Sequence, residues 1–391
     1  MEKTSEKFLD EGLLPALYVV GRLFLFLALI PDNWTGFGDL QQYFATAGLK
    51  GWPYINYWME YPPVFPFSST LFYNLAGGNP FLFDLLLCLL FGLAGAACLV
   101  VFRRIAIRLW GERGAVRRSV IFFALLAPLP YTWWYFELIP VFLMLLAIYT
   151  LLARRWKLSG VSIGIGALVK WFPAIVLPAI WRSRPPREAL RITILVVLLV
   201  AVVFGILYAI SPDMTRASLI SQPSRSSWQT VWALIDGNYT TGEYILLNDR
   251  LDPNIAGIGR GNPPVIPPGL TLILFGGIGL WLLWRARLAD NDLGTLAMVG
   301  VTWMLFLLWS PGWSPQWILY LLPLILLTLA EKRGLVICLG LILVTLLEWP
   351  TFLKHDLWQG LWLIVPLRMI LFCLLLWCWI PLTRPKISAL A

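Results

Sequence analysis

The chain has 391 residues, 59% of them hydrophobic and only 13% charged, with 22 Trp and 22 Phe; its mean hydropathy is +0.76. A soluble chain carries roughly a quarter charged residues, so this composition excludes a soluble enzyme and a disordered protein and leaves a polytopic membrane protein. The net charge of +9 does not point to nucleic acid, because the basic residues stand in short clusters between apolar runs. All five Cys lie inside apolar runs, where a thiol is a small hydrophobe, so no disulfide framework is expected.

A helix needs about 20 apolar residues to cross the hydrocarbon. In chain order the apolar runs predict twelve passages, near 13–30, 80–102, 119–133, 137–153, 158–169, 172–181, 190–210, 269–285, 294–310, 316–330, 334–348 and 362–381. The first ends in Pro31-Asp32 without a small-x-small site, so it reads as a retained span and not a cleaved leader. The fifth and sixth are short and read as a paired, re-entrant hairpin. With both termini on one side, 21 of the 30 Lys and Arg fall on that side and six on the other, which makes the first side cytoplasmic. The cytoplasmic loops are then short and basic. Two external segments, 31–79 and 211–268, are long and rich in Trp, Tyr, Pro and acids. The expectation is one all-α transmembrane bundle over 1–391, with its chemistry on those two segments.

The first external segment contains Asp32, then Asp39-Leu40-Gln41-Gln42-Tyr43, Gly51-Trp52-Pro53-Tyr54 and Glu60-Tyr61-Pro62-Pro63. An acid just beyond the first span meets low dielectric on one side, which raises its pKa toward the range of a general base. Asp39 and Tyr43 are spaced i, i+4, so a helix there puts both on one face. Tyr61-Pro62-Pro63 predicts an extended approach to the next helix, since each residue before Pro is pushed out of the α region. The plainer reading of the same acids is a solvated loop.

Lys170 stands in the apolar run Gly164–Pro178, where a charge is costly and pairs, snorkels or serves an anionic ligand. Replacement by Met is expected to remove the charge and leave the fold intact. Pro173 and Pro178 predict broken helices after it. Ser314-Pro315-Gln316 reads as a helix start, with Ser as cap, Pro in the first turn and the Gln316 amide turned to the external side. Arg225 and Arg260 lie in the long segment 211–268, where Arg can grip a phosphate in a fork. Arg22 and Arg368 lie within spans and read as structural pairs with acids or carbonyls. The sole His, His355, stands in Lys354-His355-Asp356 with no partner His, so no metal site is expected.

In this order and at these places the segments resemble the GT-C superfamily of integral-membrane glycosyltransferases. The nearest likeness is to mannosyltransferases that use polyprenyl- or dolichyl-phosphate mannose. The residues that carry it are Asp39, Tyr43, Gly51, Pro53, Tyr54, Tyr61, Pro62 and Pro63, then Lys170, Pro173, Leu177 and Pro178, then Ser314 and Gln316. Trp317 stands where that family usually has Tyr. The resemblance implies an inverting transfer of one hexose, mannose by the likeness, from a polyprenyl-phosphate donor on the external face of a prokaryotic plasma membrane. The acceptor would be a glycolipid, an oligosaccharide or a protein. It implies Asp39 as general base, with Asp32 and Glu60 as alternatives, and Tyr43, Tyr54, Glu60, Tyr61 and Gln316 as substrate contacts. Lys170, Arg225, Arg260 and His355 would meet the donor phosphate. Donor and acceptor are both substrates, and no cofactor or metal is called for. The competing class is a polytopic transporter or lipid flippase, which the lack of an internal repeat disfavours; a non-catalytic subunit of the same fold is a third reading.

Overall fold

Apolar runs become helices because in hydrocarbon each backbone N–H and C=O must be satisfied within its own segment. The computed structural model describes residues 2–33, 38–242 and 245–384, with the side chains of the first helix described from Gly12 to Ala28. In chain order the helices are α1 (Glu2–Asn33), α2 (Leu40–Ala47), α3 (Val64–Leu75), α4 (Pro80–Leu126), α5 (Tyr131–Trp134), α6 (Leu138–Leu152), α7 (Trp156–Val169) and α8 (Leu177–Ser183). There follow α9 (Pro186–Ile210), α10 (Pro212–Ser221), α11 (Val231–Asp236), α12 (Pro268–Arg285), α13 (Asp292–Trp309), α14 (Ile318–Thr328), α15 (Glu331–Leu346) and α16 (Leu361–Trp379). Among the described residues the only extended pairing is the isolated bridges Pro53–Tyr57 and Trp228–Gly312. The expected all-α class holds.

Among the described residues, six helical stretches are long and apolar enough to cross a membrane: Pro80–Leu126, Pro186–Ile210, Pro268–Arg285, Asp292–Trp309, Glu331–Phe352 and Trp358–Thr383. Shorter apolar helices are Gly12–Ala28, Leu138–Leu152, Trp156–Val169 and Pro315–Thr328. The side chains agree with a lipid surround. Ile273 and Trp284 on α12 are 73% and 76% exposed, and Trp377 on α16 is 80% exposed. Apolar surface on that scale would drive aggregation in water, whereas lipid covers it. The twelve expected passages are not matched by helices of spanning length. The run 119–133 is divided between the end of α4 and the short α5, and 172–181 between a 3-10 turn, Phe172–Val176, and α8. The basic stretch 103–118, expected as a loop, is helical on both sides of a kink at Gly111.

The chain divides into two compact units. The first is Met1–Ala174, Leu195–Pro223 and Ile245–Gly257; the second is Ile175–Ile194, Ser224–Tyr244 and Ile258–Ala391. The segment 211–268 is therefore shared out: α10 and 245–257 belong to the first unit, 224–244 and 258–268 to the second.

In the first unit α1 packs on α4, α4 on α6 and α6 on α7, while α2 and α3 pack on each other. Arg22 is buried in α1 and reaches α5, donating to Thr132 Oγ1 at 3.0 Å and to the Thr132 carbonyl at 2.9 Å. Its guanidinium lies 3.7 Å from the Trp133 ring centroid. Residues 57–60 are clasped by the returning chain. Trp58 N donates to the Arg250 carbonyl at 3.0 Å, Trp58 Nε1 to the Asp249 carbonyl at 2.9 Å, and Met59 N to Ser218 Oγ at 2.9 Å.

In the second unit α13 packs against α12, α14 and α16. Residues 228–232 are sewn to 308–314: Trp228 N donates to the Pro311 carbonyl at 3.1 Å and Trp313 N to the Trp228 carbonyl at 3.1 Å. Ser314 does not cap the helix as expected. A 3-10 turn, Pro315–Trp317, opens there instead, and the Ser314 hydroxyl accepts from Trp228 Nε1 at 3.3 Å.

Candidate active site

The first unit gathers Asp39, Tyr43, Tyr54, Glu60, Tyr61 and Lys170 around the start of α2. Asp39 directly precedes that helix. The chain reaches it through Gly38, whose φ is +68° and where an added Cβ would stand 2.3 Å from Trp134 Cβ, so only glycine passes here. Asp39 N then donates to the Trp134 carbonyl at 3.4 Å, and Tyr43 N to the Asp39 carbonyl at 2.8 Å. The i, i+4 spacing does what it promised. Tyr43 Oη donates to Asp39 Oδ2 at 3.2 Å, and Tyr61 Oη reaches the same oxygen at 3.3 Å.

Aromatic packing fixes those hydroxyls. Phe65 and Phe136 stack at 4.0 Å, Tyr43 meets Phe65 edge-on at 4.8 Å, and Tyr61 meets Phe136 edge-on at 5.1 Å. Tyr54 closes the turn below, at a φ of +66°. Its hydroxyl donates to the Tyr61 carbonyl at 2.7 Å, so a strained residue sets the height of Tyr61.

Two ion pairs lie beside Asp39. Lys170 follows α7 in extended conformation and pairs with Glu137 Oε1. Its ammonium stands 5.5 Å from the Tyr61 ring centroid, 5.1 Å from Phe136 and 5.4 Å from Phe172. Glu60 receives both terminal nitrogens of Arg250, Nη2 at 3.0 Å and Nη1 at shorter range. Glu60, Glu137 and Arg250 are buried to 3%, 1% and 1% exposure, so the charges must cancel pairwise. Asp39 is the acid left over, and its oxygens are held by tyrosines and by no ion pair among the described residues. Burial pushes its carboxyl up to about 6; Glu137 and Glu60 add to the rise, while Lys170 and the bond from Tyr43 oppose it. Burial also raises the Tyr43 hydroxyl, so it stays a donor at neutral pH.

Sequence reasoning missed Glu137 and Arg250. Glu137 had a readable signal, an acid inside the apolar run Trp133–Leu146, the same anomaly that singled out Lys170 33 residues later. Arg250 had none, since an Arg in a polar loop is ordinary. The remaining expected residues, Arg225, Arg260, Gln316 and His355, all belong to the second unit. Gln316 is buried and Arg260 exposed; His355 is exposed with Nδ1 2.8 Å from the Thr351 carbonyl. The side chain of Asp32 and all of Trp34–Phe37 lie outside the described residues.

A scan against protein families matches the model of glycosyltransferase family 87 over residues 58–311, more than half of the chain. The match takes in Glu60, Tyr61, Glu137, Lys170, Arg225, Arg250 and Arg260, while Asp39, Tyr43, Tyr54, Gln316 and His355 lie outside its bounds. Neither the curated proteins nor the solved structures give a match. With helices of spanning length, lipid-facing apolar surface and a family match of that extent, the chain is a membrane protein that belongs to glycosyltransferase family 87.

Proposed function

We propose that this glycosyltransferase moves one hexose, mannose by its resemblance, from a polyprenyl-phosphate donor to an acceptor hydroxyl on the external face, with inversion. Asp39 is the general base. It takes the proton of the acceptor hydroxyl as that oxygen attacks the anomeric carbon, and the bond to phosphate breaks with its electron pair leaving on the lipid phosphate. The observation that carries this reading is the unbalanced carboxylate. Of the three acids in the cluster, Glu60 and Glu137 are committed to bases, whereas Asp39 is held in orientation by Tyr43 and Tyr61 at an affinity for protons near the working pH. The leaving phosphate calls for positive charge. By the resemblance, Lys170, Arg225, Arg260 and His355 are the candidates to supply it; Lys170, paired with Glu137, also acts on the electrostatics of Asp39. Distribution of Lys and Arg supports the external placement.

The test is transfer from labelled polyprenyl-phosphate mannose to an acceptor panel by the purified full chain in lipid. Asp39→Asn keeps shape and hydrogen bonding but cannot take the proton, so turnover is expected to fall by about two to four powers of ten with donor binding retained. Near-normal turnover in Asp39→Asn with collapse in Glu60→Gln would move the base to Glu60.

A further inference from the structure

Glu137 directly precedes α6 and follows closely on Trp134, whose carbonyl accepts from Asp39 N at 3.4 Å. That bond holds the stretch 134–137 against the start of α2, all within the first unit. Phe136, the neighbour of Glu137, meets Tyr61 edge-on at 5.1 Å and Tyr43 at 6.0 Å. These are the two residues whose hydroxyls hold Asp39 Oδ2. Tyr61 also links the base to the cation: its hydroxyl is 3.3 Å from Asp39 Oδ2, and its ring centroid is 5.5 Å from the Lys170 ammonium.

The Glu137–Lys170 pair is a poor brace. Glu60 gives both carboxylate oxygens to Arg250. Glu137 gives one to Lys170, and its Oε2 is buried with no hydrogen-bond partner. Lys170 has three donors, yet its side chain bonds only to Glu137 among the described residues and is otherwise ringed by Tyr61, Phe136 and Phe172. A buried oxygen left unsatisfied costs free energy, and well-packed apolar residues commonly stabilise as much as a buried ion pair. What apolar residues could not do is control which acid the ammonium meets. Without Glu137, the nearby acid with no ion pair of its own is Asp39, since Glu60 is held by Arg250.

We propose that Glu137 is a positioning residue for the transfer: it binds the Lys170 ammonium that would otherwise neutralise Asp39, and so keeps the base without a counterion. This rests on Asp39 being the base. A carboxylate facing a cation is a weaker base than one without, so the hold on Lys170 preserves the proton affinity that the reaction uses. The other titratable and charged groups around Asp39, among the described residues, are Tyr43 from α2, Tyr61 and Glu60 from the stretch before α3, Tyr135 from the stretch before α6, and Arg250 on Glu60. Glu137 and Lys170 act on Asp39 with opposite sign, which is the expected signature of such a pair.

Infrared titration of the full chain in lipid reads the protonated carboxyl of Asp39 directly, as the C=O band that Asp39→Asn removes in each background. In the unaltered chain its midpoint is expected at about 6. Glu137→Gln removes a negative charge and releases the cation, so the midpoint should fall by about one to three pH units. The acid limb of kcat/KM should move down with it. Glu137→Gln/Lys170→Met removes both charges and should bring the midpoint most of the way back. Where Glu137→Gln is too unstable to titrate, Glu137→Asp takes its place; its shorter side chain loosens the grip on Lys170 and should move the midpoint the same way by a smaller step. A merely structural role lowers stability and turnover in these variants and leaves the midpoint where it was, which would overturn the proposal. An equal fall in the single and double variants would overturn it too, because Lys170 would then play no part. The midpoint needs no turnover, so it tests Glu137 apart from the transferase reading, which stands or falls on turnover in Asp39→Asn.

Discussion

In the second unit Glu348 and Arg368 meet at 0% and 1% exposure, and the same guanidinium donates to the Gln229 carbonyl and lies 4.7 Å from the Trp313 ring centroid. One acid, one base and a backbone carbonyl are used up together, which ties residues 228–232 to α16. In the first unit Lys170 pairs with Glu137 and Arg250 with Glu60 on the same terms. There a third acid, Asp39, is added without a third base. In the second unit's cluster one acid faces one base. The first unit's keeps a carboxylate whose proton is negotiable. By the proposed function, the chemistry rests on the surplus charge and not on a buried ion pair.

The comparison breaks first on the pairs themselves. Removing one partner of a buried pair strands the other, at a cost of about 3–5 kcal/mol. Arg368→Met and Lys170→Met should both lose that much, read as thermal unfolding in lipid. This revises the sequence-level expectation that Lys170→Met leaves the fold intact. Adding Glu137→Gln to Lys170→Met should restore most of the loss; no recovery would mean Lys170 stabilises through its aromatic neighbours instead.

Next in size is the surplus carboxylate. A folded-state value of about 6 against an ordinary 3.8 means the ionised form is disfavoured in the fold. The sign follows: the fold is better off below the ordinary value and loses stability as pH rises through about 6. Asp39→Asn should thus unfold later than the unaltered chain at neutral pH, by up to about 3 kcal/mol, while losing activity. Equal stability across pH 4–8 would contradict the surplus. The smallest effects belong to the tyrosines. Tyr43→Phe and Tyr61→Phe each remove a donor to the carboxylate and should raise its affinity for protons. Rates at neutral pH should fall about two- to tenfold, with the acid side of the pH profile moved upward.

Much of this was legible in the chain. Helices follow from apolar runs, and Asp39 with Tyr43 follows from their spacing, because both are local rules. Breaks at Pro173 and Pro178 were legible for the same reason. The pairing of Glu60 with Arg250, 190 residues apart, was not, since nothing local announces which loop Arg a buried acid will meet. The number of passages was less legible, because short pieces such as the 3-10 turn Phe172–Val176 and α8 do not declare from composition whether they cross the membrane. Ser314 failed because a tryptophan indole claimed the hydroxyl that a cap would have used.

The pH dependence of transfer by the unaltered chain tests the surplus carboxylate most directly. With labelled polyprenyl-phosphate mannose and an acceptor below saturation, kcat/KM for the acceptor should rise about tenfold per pH unit below about 6 and level off above it. The residual activity of Asp39→Asn should lack that rise. A flat profile between pH 5 and 7, or the same rise retained in Asp39→Asn, would contradict the account.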